Sequence, residues 1–422
     1  MGLLLVFAVI MPSVTSAQQW SEIIEITPND SKDDEYPQSV VHNATLYVVW
    51  QMENNIALRS YDGTAWSAVR KLSNSDLDSM NRYPQIIVYN NMLYVVWETN
   101  DAAISSGSDW DIVLLCYDSE WRYTEVTDKN DNVDDYNPQM TAYENRLYIV
   151  WQSNNDIVMR KYDARLGSVD NPDSWSKIEN ITSSNSNDYA PKIAVYDNNL
   201  CILWVTEDEK ISSGTDSDIV MKYKNEVIEI TLKNDNAVDQ HPQITIYNDE
   251  LYIVWQTNNP EITEGDDDDI VIRCYNSFGR LGEICEISKN AVSDFGPEII
   301  AHDKLYILWL KNSKELMMCS YDGNRFDNLC IKSMHQGAGF ITKSCMASCI
   351  YGNKLYIIWQ TQDESISSGR DWDLVYITYN IITDEPKQPA EKNSWIFIIL
   401  ALILSLFLAI GIYVMLKRKT QI

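Results

Sequence analysis

Two aspartates one residue apart close the same polar phrase four times in this 422-residue chain. The phrase first reads Ile104-Ser105-Ser106-Gly107-Ser108-Asp109-Trp110-Asp111, and it returns ending in Asp216/Asp218, Asp267/Asp269 and Asp371/Asp373. Carboxylates at alternate positions of a loop can supply oxygen ligands to a hard cation such as calcium. The run Asp266-Asp267-Asp268-Asp269 is the best candidate, because adjacent carboxylates repel one another unless solvated or neutralised. The same aspartates can instead accept backbone N–H groups and fix their own turns, and the spacing leaves both readings open. Trp110 and Trp372 stand between the paired aspartates, where an aromatic face beside carboxylates suits a sugar or a cationic ligand.

A second acidic set stands three residues before a proline: Asp34, Asp135, Asp188, Asp239 and Asp294, with Asn81 and Lys343 at the related positions. No assembled catalytic group accompanies these carboxylates. His42, His241, His302 and His335 fall at unrelated places, and there is no Gly-x-Ser-x-Gly, His-Glu-x-x-His or phosphate-cradling glycine loop. Carboxylate pairs are so abundant that none singles itself out as a glycosidase pair. From the residues alone we expect no enzyme.

The elements that position these loops form a repeat. Leu46-Tyr47-Val48-Val49-Trp50 recurs in variants ending at Trp97, Trp151, Trp204, Trp255, Trp309 and Trp359, at intervals of 47 to 54 residues. That period suits a four-stranded propeller blade. Each unit opens with a proline and a short alternating strand, such as Pro84-Gln85-Ile86-Ile87-Val88-Tyr89, then a polar turn and the tryptophan strand. Both faces of the tryptophan strand are apolar, as expected for a sheet packed between two others. The sequence therefore predicts an all-β, seven-bladed propeller over residues 18–382. The last unit lacks a fourth strand, and residues 19–27 have that strand's pattern, so the N-terminal segment is predicted to seal the ring. In such a ring the second-to-third loops and the loops leading into each blade share one face, where Asp34, Asp135, Asp188, Asp239 and Asp294 would rim the channel.

The stretch Tyr83-Pro84-Gln85-Ile86-Ile87-Val88 followed by Leu93-Tyr94-Val95-Val96-Trp97 resembles the sialidase-like propellers of microbial, especially archaeal, cell surfaces. Ser60-Tyr61-Asp62-Gly63-Thr64-Ala65-Trp66 and Ser320-Tyr321-Asp322-Gly323-Asn324-Arg325-Phe326 look like shortened Asp-box turns. The resemblance implies a fold and, in the family's enzymes, glycoside hydrolysis with an arginine triad, a tyrosine–glutamate nucleophile pair and an acid/base aspartate. None of these carries over: Arg82 alone lies near the position of the first arginine, and Arg59, Arg160 and Arg273 fall within third strands.

The formal net charge of −28 disfavours nucleic acid and anionic lipid surfaces as partners. Residues 1–17 read as a signal peptide. Residues 383–394 read as a linker, uncharged residues 395–416 as one transmembrane helix, and 417–422, with Lys417-Arg418-Lys419, as a cytoplasmic tail. In that compartment Cys274 with Cys285, and Cys319 with Cys330, could form disulfides across hairpins, while Cys116 and Cys201 look like small buried hydrophobes. Asn29, Asn43 and Asn180 are glycosylation acceptors by motif. Together these features lead to the expectation of a cell-membrane, single-pass protein with its propeller outside, a non-catalytic binding module for a protein or glycan with a calcium-binding loop face. The alternatives are a sialidase-like surface glycoside hydrolase and a structural component of the cell envelope.

Overall fold

The structure, a computed structural model, describes residues 20–381 except 29, 74–78, 108, 118–120, 129–130, 184–185, 213–215, 233–234, 264, 266, 277, 313–314, 330–345, 364–365 and 368–370. The chain divides into two units, Met1–Asn380 and Ile381–Ile422, and the second lies outside the described residues apart from Ile381. No helix among the described residues is long and apolar enough to cross a membrane, so the expected transmembrane helix is not found there. The expected leader over 1–17 and span over 395–416 fall outside the described residues.

Seven four-stranded antiparallel sheets make up the first unit. Blade two is representative, with strands Asn81–Tyr89, Met92–Thr99, Asp111–Tyr117 and Trp121–Glu125 in sequential order. The first strands of consecutive blades touch one another in turn, from Asp34–His42 through Asn81–Tyr89 to Met346–Tyr351 and back to Asp34–His42, so they surround a central axis. The ring closes as the sequence predicts. Ile24–Glu25 pairs with Asp373–Asn380, placing Ile24 opposite Tyr376, and Trp20 bridges to Tyr379.

The two-faced tryptophan strand explains the packing. In blade one, Leu46, Val48 and Trp50 join Ile358, Leu374 and Tyr376 of blade seven, while the alternate residue Val49 joins Val95, Trp97 and Val113 of blade two. Trp50, Trp97, Trp151, Trp204, Trp255 and Trp359 are at most 1% exposed. Burying each large apolar side chain contributes roughly 1.5–3 kcal/mol. In every blade but the sixth the turn after the first strand is a two-residue hairpin with both residues left-handed, such as Asn90 (φ 48°) and Asn91 (φ 60°); in blade six three residues, 302–304, make the turn.

Polar ties between blades also repeat. The tyrosine ending a first strand donates to the next blade's turn: Tyr89 Oη to the Asn145 carbonyl at 2.6 Å, Tyr247 Oη to that of Asp303 at 3.1 Å, and Tyr351 Oη to that of Ala44 at 3.0 Å. Arg160 donates to the Ser176 carbonyl of its own blade at 2.9 Å and to the Val126 carbonyl of the preceding one at 2.6 Å. Arg59 and Arg273 do the same with Ser67 and Ile26, and with Gly282 and Ile230. These three third-strand arginines are therefore staples between blades.

The expected Cys274–Cys285 disulfide is absent, and both cysteines are free. Hairpin register is the reason: Cys285 lies opposite Ile272, whereas Cys274 accepts the Gly282 N–H at its carbonyl. The two sulfurs are offset diagonally, beyond disulfide reach. Cys319 is also a free, buried thiol, and Cys330 lies outside the described residues. Cys116 and Cys201 are buried within the sheets.

Candidate functional site

Register fixes which loops share a face. The start of each first strand lies beside the end of the second, as in Asp34 opposite Met52 and Asp135 opposite Ser153. The second-to-third loops and the loops between blades therefore open together.

The expected acidic rim is not there. Asp34, Asp135, Asp188, Asp239 and Asp294 are at most 2% exposed, and each accepts the indole N–H of its own blade's repeat tryptophan. The distances are 2.5 Å for Trp50 to Asp34, 2.7 Å for Trp151 to Asp135, 3.0 Å for Trp204 to Asp188, 2.7 Å for Trp255 to Asp239 and 3.1 Å for Trp309 to Asp294. A buried indole needs an acceptor, and the residue opening the facing strand supplies it. Burial pushes the carboxyls of Asp34, Asp135 and Asp239 up to about 7 and that of Asp294 to about 6. They are interior hydrogen-bond acceptors and do not rim the channel.

Two residues later the chain bulges. The residue before each proline is left-handed, as in Tyr36 (φ 53°), Tyr83 (φ 52°) and Asn137 (φ 53°), and the ladder register shifts there. The freed N–H turns to the preceding blade: Tyr36 donates to Gln360 Oε1 at 2.8 Å, and Asn137 donates to Glu98 Oε2 at 2.7 Å.

That arrangement assembles a cluster at the start of the first strands. Arg82 Nε donates to Glu98 Oε1 at 2.5 Å, and Glu98 is only 1% exposed. Burial raises the Glu98 carboxyl while the Arg82 charge opposes the rise. The guanidinium lies 3.7 Å from the centroid of the Trp110 ring, 5.3 Å from that of Tyr83 and 5.9 Å from that of Tyr136. Tyr36 meets Tyr83 edge-on with centroids 4.5 Å apart. Glu35, half-buried beside Tyr36, has its carboxyl raised by burial and accepts from Gln360 Nε2 at 3.3 Å. Trp110 therefore belongs to a polar and aromatic cluster. Trp372 in the seventh blade is held by its backbone, its N–H donating to Asp33 Oδ1 at 3.0 Å.

The Asp-x-Asp loops stand on the same face. Asp111, Asp218, Asp269 and Asp373 open the third strands of their blades, are at most 2% exposed, and each takes a hydroxyl donor from a neighbouring strand end. The donors are Thr127 at 2.8 Å, Thr231 at 2.8 Å, Ser288 at 3.0 Å and Thr27 at 3.3 Å. Asp109, Asp216, Asp267 and Asp371 precede them by two residues, each with a buried carboxylate oxygen that meets no donor among the described residues. Burial pushes Asp111 and Asp269 up to about 7 and Asp373 to about 6. One oxygen-only group, Asp216, Asp218 and Asp235, brings its ligand atoms within 4.8 Å of one another.

Deeper along the first strands, Lys192 and Glu298 follow the prolines of blades four and six. Burial pushes Glu298 up to about 7 against the pull of Lys192, and burial holds Lys192 below the usual lysine range. A concavity of about 410 Å³ opens among hairpin turns away from the loop face, lined by Tyr196, Tyr223, Lys224 and Tyr275 among others. Of the glycosylation candidates, Asn43 and Asn180 are exposed, and Asn29 lies outside the described residues.

The Arg82 cluster was not assembled by sequence reasoning, but a signal exists. At the position two before the proline the repeat offers Glu35, Tyr136, Tyr189, Gln240 and Phe295, and only Arg82 is cationic. Its cross-strand partner Glu98 stands where other blades carry Gln51, Gln152 or Gln360. Two departures from the repeat in one register pair mark the site.

No protein-family model matches the sequence, and no curated protein matches it. The solved polysaccharide lyase Uly1 is similar in fold, with a TM-score of 0.55 and 11% identity over 86% of this chain and 100% of that one. An ulvan lyase from a new polysaccharide lyase family has a TM-score of 0.53 and 10% identity over 83% of this chain and 95% of that one. The Trypanosoma rangeli sialidase bound to the inhibitor DANA reaches a TM-score of 0.45 and 12% identity over 82% of this chain and 55% of its own, too loose to argue from. Of these three, the two with a TM-score above 0.5 are thus polysaccharide lyases. The expectation of no enzyme is corrected accordingly: solved structures that share this fold along most of its length are polysaccharide-cleaving enzymes, so a missing arginine triad is no ground for excluding catalysis.

Proposed function

We propose that the chain is a carbohydrate-active enzyme that grips a glycan at the start of its first strands and cleaves a glycosidic bond there. The observation that carries this reading is the Arg82 cluster, where three aromatic rings, a guanidinium and the buried Glu98 carboxylate meet in one place. Sugar rings stack their C–H faces on aromatic side chains while their hydroxyls pair with charged groups, which is the composition of this cluster. Arg82 is already neutralised by Glu98 and the protein carries a formal charge of −28, so a neutral glycan suits the face better than a polyanion. Glu35 is the candidate acid: a carboxyl raised by burial keeps a proton for the leaving oxygen. The similar fold of polysaccharide lyases supports a polysaccharide as the substrate.

The experiment incubates the full-length chain with a panel of neutral and acidic polysaccharides, following new reducing ends and the ultraviolet absorbance of unsaturated uronates. Reducing ends without absorbance, lost in Trp110→Ala and Glu35→Gln, are the expected result. Absorbance rising with reducing ends would mean cleavage by elimination, which overturns the role given to Glu35. No product from any polysaccharide would overturn the reading itself.

A further inference from the structure

The four Asp-x-Asp loops pose an electrostatic problem that turn formation does not solve. Asp111, Asp269 and Asp373 are fully buried, and in each one oxygen takes a hydroxyl donor while Oδ2 meets none among the described residues. The Ser105 hydroxyl lies between Asp111 and the Asp101 carbonyl, and that of Ser367 between Asp373 and the Asp363 carbonyl, whereas Asp269 has Ser288 as its hydroxyl donor and an Oδ2 that meets none. An aspartate that served only to fix its loop would have these buried oxygens satisfied by the loop itself.

Further acidic groups gather around them. The fourth strands of these blades carry Glu25, Glu125, Glu229 and Glu286, two residues before the hydroxyl donor. The corresponding residues of blades one and three, which have no Asp-x-Asp loop, are Lys71 and Asn180. The loop to the next blade follows the same division: four residues before the indole acceptor it carries Asp30, Asp131, Asp235 or Asn290, but Leu77 or Ser184 after blades one and three. A purely local turn device gives no reason for three separate segments to change together. A shared ligand does. In blade four three of these groups converge to within 4.8 Å, and in blades two, five and seven the second aspartate feels the charge of its partner aspartate and of the fourth-strand glutamate.

We propose that blades two, four, five and seven each bind one calcium ion between the second-to-third loop and the loop leading to the next blade. Every ligand is an oxygen, which selects a hard cation, and several carboxylates with some freedom between them suit calcium better than the small, octahedral magnesium ion. Blades one and three bind none. Each ion ties two loops of the loop face together, and in blade two one of those loops carries Trp110, so metal orders part of the glycan-binding cluster without belonging to it. The proposal stands whatever the cluster binds.

Calorimetric titration of the full-length, chelator-treated chain with calcium chloride tests it, alongside terbium luminescence excited through tryptophan. The expected result is four sites, with calcium displacing terbium. Terbium emission should come chiefly from blades two and seven, whose aspartate pairs enclose Trp110 and Trp372, and Trp110→Phe should remove the blade-two share. Asp216→Asn/Asp218→Asn should lower the calcium stoichiometry by a quarter with the circular dichroism spectrum unchanged. If that variant fails to fold, the wild-type stoichiometry and the Trp110→Phe luminescence still decide. No calcium uptake up to about 1 mM, the weak end of extracellular calcium modules, would overturn the proposal, as would tighter binding of magnesium.

Discussion

Trp97 donates its indole N–H to Asn81 at 2.7 Å, in the geometry that Trp151 uses with Asp135. Blade two thus shows that the amide satisfies the indole as well as the carboxylate does. Burial raises Asp135 from 3.8 to about 7, so the stability it contributes is complete below about pH 4 and is lost as pH rises through 7. In metal-free buffer Asp135→Asn should therefore match wild type near pH 4 and exceed it at pH 8 by roughly 1–4 kcal/mol. Asp135→Leu, which orphans the indole, should lose roughly 1–3 kcal/mol. Urea unfolding at the two pH values checks both, and identical pH profiles for wild type and the asparagine variant would refute the account.

Arg82→Met strands Glu98, 1% exposed, without its ion pair, and should cost about 3–5 kcal/mol. Arg82→Met/Glu98→Gln should recover most of that, because the glutamine can still accept the Asn137 N–H as Gln360 accepts that of Tyr36. Glycan cleavage should remain lost in both. Recovery of activity with stability would show that Arg82 serves the fold alone.

Ile26 is fully buried at the seam, whereas Ile24 on the same short segment is 43% exposed. Ile26→Ala should destabilise the ring by roughly 2–5 kcal/mol and Ile24→Ala by under about 0.5 kcal/mol. Equal effects in denaturant titrations would mean that the N-terminal segment is not packed into blade seven.

Cys285 is exposed, while Cys116, Cys201, Cys319 and Cys349 are buried. A thiol reagent should modify Cys285 in the native protein and the four buried thiols only after unfolding. Cys285→Ser should lower the fast reaction by one thiol per chain and leave stability within about 0.5 kcal/mol of wild type. A loss above about 2 kcal/mol would instead point to a disulfide.

The blade count, the hairpins and the seam were legible because each rests on a repeated local pattern: one tryptophan per blade, apolar residues on both faces, and a fourth-strand motif displaced to the other end. Hairpin register was not. The spacing of Asp34 before Pro37 locates a strand start, but only the ladder shows that Trp50 faces that start across the hairpin. The constant separation of 16 residues between acceptor and indole in five blades carried that information unread. The cysteine spacing predicted a hairpin correctly and a bridge wrongly for the same reason. Arg82 and Glu98 were obscured differently: they matter because they break the repeat, and reading for the repeat averages such positions away.

The seam also sets the moment at which the ring can exist. Ser21 Oγ accepts the Thr378 N–H at 2.9 Å across 357 positions of sequence, and the Ser21 N–H returns the bond at 2.9 Å. The segment that holds Ser21 must wait for the strand that holds Thr378. Six blades own all four of their strands and can pair as each is made, while the seventh remains open-edged until Asp373–Asn380 pairs with Ile24–Glu25. The interval before closure is when the nascent chain is most exposed to pairing with a stranger, so a translational pause within the seventh blade would endanger this protein more than one within an earlier blade.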